Sequence, residues 1–122
     1  MAKTILIVDD SVGIRQIVSF TVKSAGYDVI EGVDGVDALA KLNGQKIHLI
    51  ICDLNMPNMD GISFVKEVKK MADYKFVPII MLTTESQISR KLEGHAAGAK
   101  AWVVKPFLPE QMLNAVSKLI MQ

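Results

Sequence analysis

The sequence contains little cysteine, little aromatic surface and no long apolar stretch. Its 122 residues include one cysteine, Cys52, one tryptophan and two histidines. A single cysteine excludes an intramolecular disulfide, and its place in an apolar run predicts a buried thiol in a reducing compartment. No apolar run approaches the roughly 18 residues that a transmembrane helix needs. We therefore expect a soluble, unprocessed, cytoplasmic protein.

Neither sign of charge dominates, and no nucleotide-binding motif is present. The chain has 14 basic and 13 acidic residues, a formal net charge of +1. This balance gives no global reason to expect a nucleic-acid or membrane partner. Neither a G-x-x-x-x-G-K-[ST] loop nor a G-x-G-x-x-G motif after the first strand occurs, so nucleotide binding has no support. His48 and His95 lack metal-ligand spacing, and we interpret both as structural or surface residues.

The sequence does contain five alternations of a short apolar run with a helical pattern. The strand-like runs are Ile5–Val8, Tyr27–Glu31, Ile47–Cys52, Val77–Leu82 and Ala101–Val104. Strands that alternate with helices predict a parallel sheet covered on both faces, because each parallel connection is a crossover. The length suits a single domain over residues 1–122, and we expect it to be a monomer.

Capping residues and apolar periodicity locate the helices between these runs. Asp60 is predicted to cap the third helix, and Pro109 is predicted to open the last one. The fourth helix has a thin apolar stripe, formed by Ile88, Leu92 and Ala96. Each helix is long enough to cover part of one sheet face.

Polar residues occupy the carboxyl ends of four predicted strands. Asp53 ends the third strand, Asp9 and Asp10 follow the first, Thr83 follows the fourth and Lys105 follows the fifth. Right-handed crossovers make all strands point the same way, so these side chains meet at one edge. A carboxylate cluster needs a cation, and oxygen ligands favour Mg²⁺. Lys105 and Thr83 suit phosphoryl oxygens, and Asp53 would then be a carboxylate nucleophile.

These residues closely resemble the receiver domains of two-component response regulators, specifically the stand-alone, CheY-like chemotaxis regulators. The resemblance rests on Asp9–Asp10, Asp53–Gly61, Thr83 and Lys105–Phe107, and it extends over essentially the whole chain. It implies an α/β, flavodoxin-like (βα)5 three-layer sandwich. The order of its five-stranded parallel sheet would be 2-1-3-4-5.

The resemblance also implies the acceptor and the metal ligands. Asp53 would be the phosphoacceptor that takes a phosphoryl group from a histidine kinase. Asp10, Asp53 and the main-chain carbonyl of Asn55 would ligate Mg²⁺, the only cofactor implied, while Asp9 would act from close by through water or charge.

A second group of residues is implied to respond to phosphorylation. Thr83 would swing towards the phosphoryl group, Lys105 would bind it, and Pro106 would be a cis proline that aims the lysine inward. Trp102 stands where the family usually has a Tyr or Phe that switches position. Its ring is expected to rotate inward into space that Thr83 vacates.

The implied output is binding, because no effector domain is apparent in this sequence. The expected partners are a chemotaxis histidine kinase as phosphodonor and the flagellar motor switch protein as target, with a phosphatase as a further candidate. The protein would not be an enzyme beyond catalysing its own phosphorylation and dephosphorylation. Asn55 and Glu85 resemble the pair that speeds dephosphorylation in chemotaxis regulators.

The same residues allow other functional interpretations, of which two are disfavoured by the sequence. A Ca²⁺ loop is disfavoured because Pro57 occupies a ligand position and Phe64 replaces the closing Glu. A phosphatase would want an acid where Asn55 stands. A phosphorelay intermediate, a phosphate sink and a receiver-like interaction module that is not phosphorylated stay as alternatives.

Overall fold

A five-stranded parallel sheet forms the centre of the molecule. The structure, a computed structural model, describes residues 2–84 and 89–120. Within them the elements alternate as strand and helix in chain order. Their bounds are β1 Thr4–Val8, α1 Val12–Ser24, β2 Asp28–Gly32, α2 Gly35–Lys41, β3 Leu49–Asp53, α3 Gly61–Lys69, β4 Ile79–Thr83, α4 Lys91–Ala97, β5 Ala101–Val104 and α5 Pro109–Ile120.

The strand order is β2-β1-β3-β4-β5, and every neighbouring pair is parallel. This confirms the predicted α/β, flavodoxin-like architecture with order 2-1-3-4-5. The register pairs Val8 with Cys52 and Thr83 with Val104, so the carboxyl ends of β1, β3, β4 and β5 lie side by side. The sheet therefore places the polar residues that follow these strands at one edge.

Alternate residues of the central strands feed two hydrophobic clusters, one on each sheet face. Ile7 and Ile51 pack on the cluster that α1 and α5 complete through Val18 and Met112. The cluster on the other sheet face contains Phe64 of α3 together with buried side chains from several strands and helices. Because β3 is buried along its whole length, its side chains are apolar up to the terminal Asp53.

Side-chain caps start the first three helices, and the cap predicted at Asp60 is confirmed. Ser11 caps α1 by accepting from the Ile14 amide at 3.3 Å. Asp34 caps α2 in the same way, and Asp60 caps α3 through the Ser63 amide at 2.8 Å. These caps fix where each helix begins beside the carboxyl edge of the sheet.

The fourth helix differs from its predicted packing. Leu92, expected in an apolar stripe, is 84% exposed, and Ala96 is also exposed. Ile88, the first residue of that stripe, lies outside the described residues. The face of α4 that approaches the sheet carries Gly94, whose lack of a Cβ lets the helix approach Trp102 closely, and Ala97, which packs on the cluster that contains Phe64.

Candidate functional site

Asp53 and Lys105 form an ion pair at the centre of the carboxyl edge. The Lys105 Nζ donates to Asp53 Oδ1 at 2.8 Å, and the two side chains are 17% and 6% exposed. Burial raises the pKa of the Asp53 carboxyl from its ordinary value of 3.8, and Lys105 opposes this rise. The lysine therefore supplies part of the charge compensation that a buried carboxylate requires.

Three carboxylates converge beside this pair. One oxygen from each of Asp9, Asp10 and Asp53 lies within 4.8 Å of the others. Asp9 is fully buried, whereas Asp10 is exposed to solvent. The structure thus brings together the three acidic residues that the sequence predicts at this edge.

Asp9 carries the least satisfied oxygen of the cluster. Its Oδ1 accepts from the Ser11 amide at 2.9 Å, while its buried Oδ2 has no hydrogen-bond partner within the described part of the chain. Burial is the main cause that raises the pKa of Asp9 from 3.8 to about 6, and the nearby Asp53 charge adds to it. A hard divalent cation fits this donor set, because oxygen ligands of like charge need a positive partner.

The backbone that follows Asp53 turns sharply to reach α3. The Leu54 amide donates to Leu82 O at 3.1 Å, and the Gly61 amide donates to Leu54 O at 2.8 Å. A Cβ on Gly61 would lie 2.7 Å from Met81 Cε and closer still to Asp53 O. Only glycine allows α3 to begin so near the end of β3. Asn55, between these contacts, is exposed.

Two polar side chains that no sequence motif predicts, those of Arg15 and Asn58, support the site through three hydrogen bonds. Arg15 donates to the main-chain oxygen of Asp9 at 2.8 Å and to Glu31 at 2.9 Å. Asn58, at φ 69°, donates to Asp34 at 2.9 Å and so joins the loop after β3 to the cap of α2. No spacing rule predicts the bonds to Glu31 and Asp34, because each joins elements that are distant in sequence.

Thr83 and Trp102 are joined directly by a hydrogen bond. The indole Nε1 donates to Thr83 Oγ1 at 2.8 Å, and Thr83 is fully buried. The Trp102 ring is half-buried and packs on the cluster that contains Phe64. In this state the polar edge of the ring lies against Thr83, and the inward rotation of the ring on phosphorylation stays a prediction.

The turn after β5 positions Lys105. The Lys105 amide donates to Thr83 O at 2.6 Å, and the Lys105–Pro106 peptide bond is cis, as the resemblance implies. Of the other predicted site residues, Glu85 lies outside the described residues. The structure thus groups Asp9, Asp10, Asp53, Lys105 and Thr83 with Trp102 behind them.

Comparison with known proteins agrees with this geometry. Residues 5–117 match the family model described as the response regulator receiver domain. The solved structure of the chemotaxis protein CheY4 of Vibrio cholerae is 48% identical and superposes with a TM-score of 0.92, covering 98% of this chain and 99% of that one. The chemotaxis protein CheY1 of Helicobacter pylori is 40% identical over 108 residues, which are 87% of this chain and 87% of that protein.

Other similar proteins differ in length or in bound ion. The receiver domain of the sensor histidine kinase PA1611 of Pseudomonas aeruginosa is 25% identical with a TM-score of 0.92, covers 100% of both chains, and holds a magnesium ion in its active-site cleft. The chain also spans only about half the length of curated transcriptional regulators that it matches.

No helix among the described residues combines the length and the apolar character needed to cross a membrane.

The family model covers nearly the whole chain, and the fold and the grouped acidic residues agree with it. The chain therefore belongs to the receiver-domain family of two-component response regulators.

Proposed function

We propose that Asp53 accepts a phosphoryl group from a phosphohistidine of a histidine kinase. The observation that carries this proposal is the buried Asp53 carboxylate, which lies between an acidic cluster and the Lys105 ammonium. In the transfer, an Asp53 oxygen supplies the electron pair of a new O–P bond. The P–N bond breaks, and its pair remains on the imidazole nitrogen of the donor.

The side chains around Asp53 suit this transfer. Asp10, Asp53 and the Asn55 carbonyl would hold Mg²⁺, with Asp9 close by. The ion, when bound, supplies positive charge to the phosphoryl oxygens. The magnesium ion in the PA1611 receiver domain supports this assignment. Lys105 would move from Asp53 Oδ1 to a phosphoryl oxygen, and the Thr83 hydroxyl would donate to another.

Exposed apolar side chains surround the acceptor edge and suit a docked phosphodonor. They lie at the start of α1, around the start of α2 and just before α5, and each is 49 to 58% exposed. The residues are Val12, Val33, Val36 and Leu108. A helical surface that presents phosphohistidine to Asp53 would cover this rim, because burial of apolar area favours association.

The proposed output is binding of the flagellar motor switch protein. Similarity to two chemotaxis proteins over nearly the whole chain favours this target. A groove of about 700 Å³ between β5 and α5, lined by Trp102, Val104 and Lys118, adjoins the site. The chain is also similar to longer transcriptional regulators. A role as a phosphorelay intermediate, as a phosphate sink or with a different output is therefore the alternative to motor binding.

Phosphorylation is tested by intact-mass analysis after incubation with acetyl phosphate and Mg²⁺. One phosphoryl group should appear on the wild type and none on Asp53→Ala. Asp73→Ala, which removes an exposed carboxylate at the other end of the sheet, is the matched control and should match the wild type. An equal mass gain in Asp53→Ala would exclude Asp53 as the acceptor, whereas no gain in the wild type would favour the interaction module that is not phosphorylated.

The output is tested by comparing proteins captured by the phosphorylated chain with those captured by Asp53→Ala. Enrichment of the motor switch protein only with the phosphorylated form supports the chemotaxis assignment.

Asn55 and Glu85 are proposed to orient the water that hydrolyses the phosphoryl group. A half-life of hours at neutral pH would contradict that role and favour a slower regulator.

A further inference from the structure

The indole ring of Trp102 lies against the backbone of α4 at Gly94. A Cβ at position 94 would lie 2.6 Å from Trp102 Cζ3 and closer still to Cη2. Real Cβ atoms do not approach carbon so closely, so a larger residue would displace the ring or the helix. Glycine is unfavourable inside a helix, and the contact with the ring explains why it stands there.

The opposite edge of the ring is fixed by Thr83. The Trp102 Nε1 donates to Thr83 Oγ1 at 2.8 Å, and Thr83 is fully buried on β4. Leaving a buried donor and acceptor unpaired is unfavourable, so the bond holds the hydroxyl where it is. The ring is thus restrained at two points, by the α4 backbone and by the β4 hydroxyl.

We infer that Gly94 and Trp102 are positioning residues that hold the Thr83 hydroxyl in its resting place. This inference rests on the proposed phosphorylation of Asp53. For Thr83 to move towards a phosphoryl group, its bond to Trp102 must break, or the ring must follow and α4 must shift. The contact at Gly94 opposes the second route, and so the hydrogen bond opposes phosphoryl capture and couples the acceptor to α4.

The contact between Gly94 and Trp102 is tested by a double-mutant cycle of stability. Phenylalanine lacks the outer indole atoms that a Cβ at position 94 would meet. Gly94→Ala should therefore lower the urea midpoint in the Trp102 protein and have little effect or raise it in Trp102→Phe. Gly13→Ala is the matched control, because a Cβ there meets no atom within 4 Å. Equal losses in both backgrounds would overturn the assigned contact.

The hydrogen bond has a spectroscopic signature, because the chain has a single tryptophan. The one indole N–H resonance should exchange slowly with water in the wild type and in Thr83→Ser, which keeps the hydroxyl. It should exchange faster in Thr83→Val and in Gly94→Ala. A purely structural role for Gly94 predicts no change in this resonance, and that result would contradict the inference.

The effect on phosphoryl capture is measured by calorimetric titration with beryllofluoride and Mg²⁺. Loss of one hydrogen bond should strengthen binding about two- to tenfold in Trp102→Phe. Gly94→Ala should give a similar gain, and the double variant should gain no more than either. Unchanged or weaker binding in Trp102→Phe would overturn the inference, whereas a wild type that binds no mimic would contradict the proposed function itself.

Discussion

Asp9 is the carboxylate of the site whose protonation depends most clearly on its surroundings. Its buried Oδ2 has no hydrogen-bond partner in the part of the chain that the structure describes. Burial, opposed by the Ser11 amide and reinforced by Asp53, raises its pKa from 3.8 to about 6. A proton or a cation therefore completes this oxygen, and the two should compete.

The stability of the metal-free protein should depend on Asp9 with a definite sign. Because its pKa is higher in the folded state, its contribution to stability is full below pH 3.8 and is lost as pH rises through about 6. We expect the free energy of unfolding of the wild type to fall relative to that of Asp9→Asn between pH 4 and pH 7. Urea denaturation at each pH measures this difference.

Saturating Mg²⁺ should reduce the same difference, since the cation replaces the proton as the partner of the carboxylates. Asp73→Asn, which changes an exposed residue, serves as the control and should follow the wild-type profile. Parallel profiles for the wild type and Asp9→Asn would show that Asp9 keeps an ordinary pKa.

Lys105 should contribute to stability as well as to signalling. Removing it leaves the buried Asp53 carboxylate beside two other acids, with no direct cationic partner among residues 2–84 and 89–120. Lys105→Ala should lower the free energy of unfolding at pH 7 by about 2 kcal/mol without divalent ions. The loss should shrink at pH 5, where Asp53 is more easily protonated. Lys46→Ala, an exposed lysine at the other edge, should change stability little, and equal losses would contradict this role.

The sequence was sufficient to predict which charged residues gather, because parallel strand ends meet at one edge. It did not predict the bond from Trp102 to Thr83, since alternation assigns a ring to a face but not to a rotamer. Nor did it predict the contact of Gly94 with that ring. These features depend on how closely α4 packs on the sheet, which no local pattern specifies.

Among the secondary-structure elements, the start of α3 is the most sensitive to added volume. A Cβ on Gly61 would meet Met81 Cε at 2.7 Å and Leu54 Cα at 2.9 Å. Gly61→Ala should lower the free energy of unfolding by about 1–3 kcal/mol, because backbone on one side cannot move away.

Gly13→Ala provides the comparison within α1, where nothing lies within 4 Å of the new methyl group. It should raise stability by about 0.5–1 kcal/mol through helix propensity. Urea titration measures both changes. A Gly61→Ala protein as stable as the wild type would mean that α3 can begin farther from Asp53 than the structure shows.

The bounds of the elements were predicted with uneven success for a physical reason. Asp60 and Pro109 carry local chemistry that starts a helix, and both start one in the structure. The stripe of α4 was predicted from periodicity alone, and Leu92 is exposed. Periodicity predicts helix packing only where the apolar face is wide enough to determine it. In α4 the face that contacts the sheet is marked by Gly94, which lies against the Trp102 ring.

Across the whole molecule, Thr83 is linked to β5, whereas the link from the site to β2 runs through Asp9 and Arg15. Thr83 bonds to Trp102 through its hydroxyl and to the Lys105 amide through its carbonyl, and all three groups are at least partly buried. On the other side, the exposed bond from Asn58 to Asp34 joins the loop after β3 to α2. Buried contacts transmit a displacement better than exposed ones, which water can replace.

Phosphoryl capture should therefore alter one half of the sheet more than the other. We expect Mg²⁺ with beryllofluoride to change amide hydrogen exchange in α4 and β5, residues 91–104, and to leave β2 and α2, residues 28–41, nearly unchanged. Asp53→Ala supplies the control and should show no change in amide hydrogen exchange in either segment. If protection rises equally in both segments, the ligand stabilises the molecule globally. If it is confined to residues 53–61, the acceptor loop absorbs the displacement and Thr83 does not transmit it.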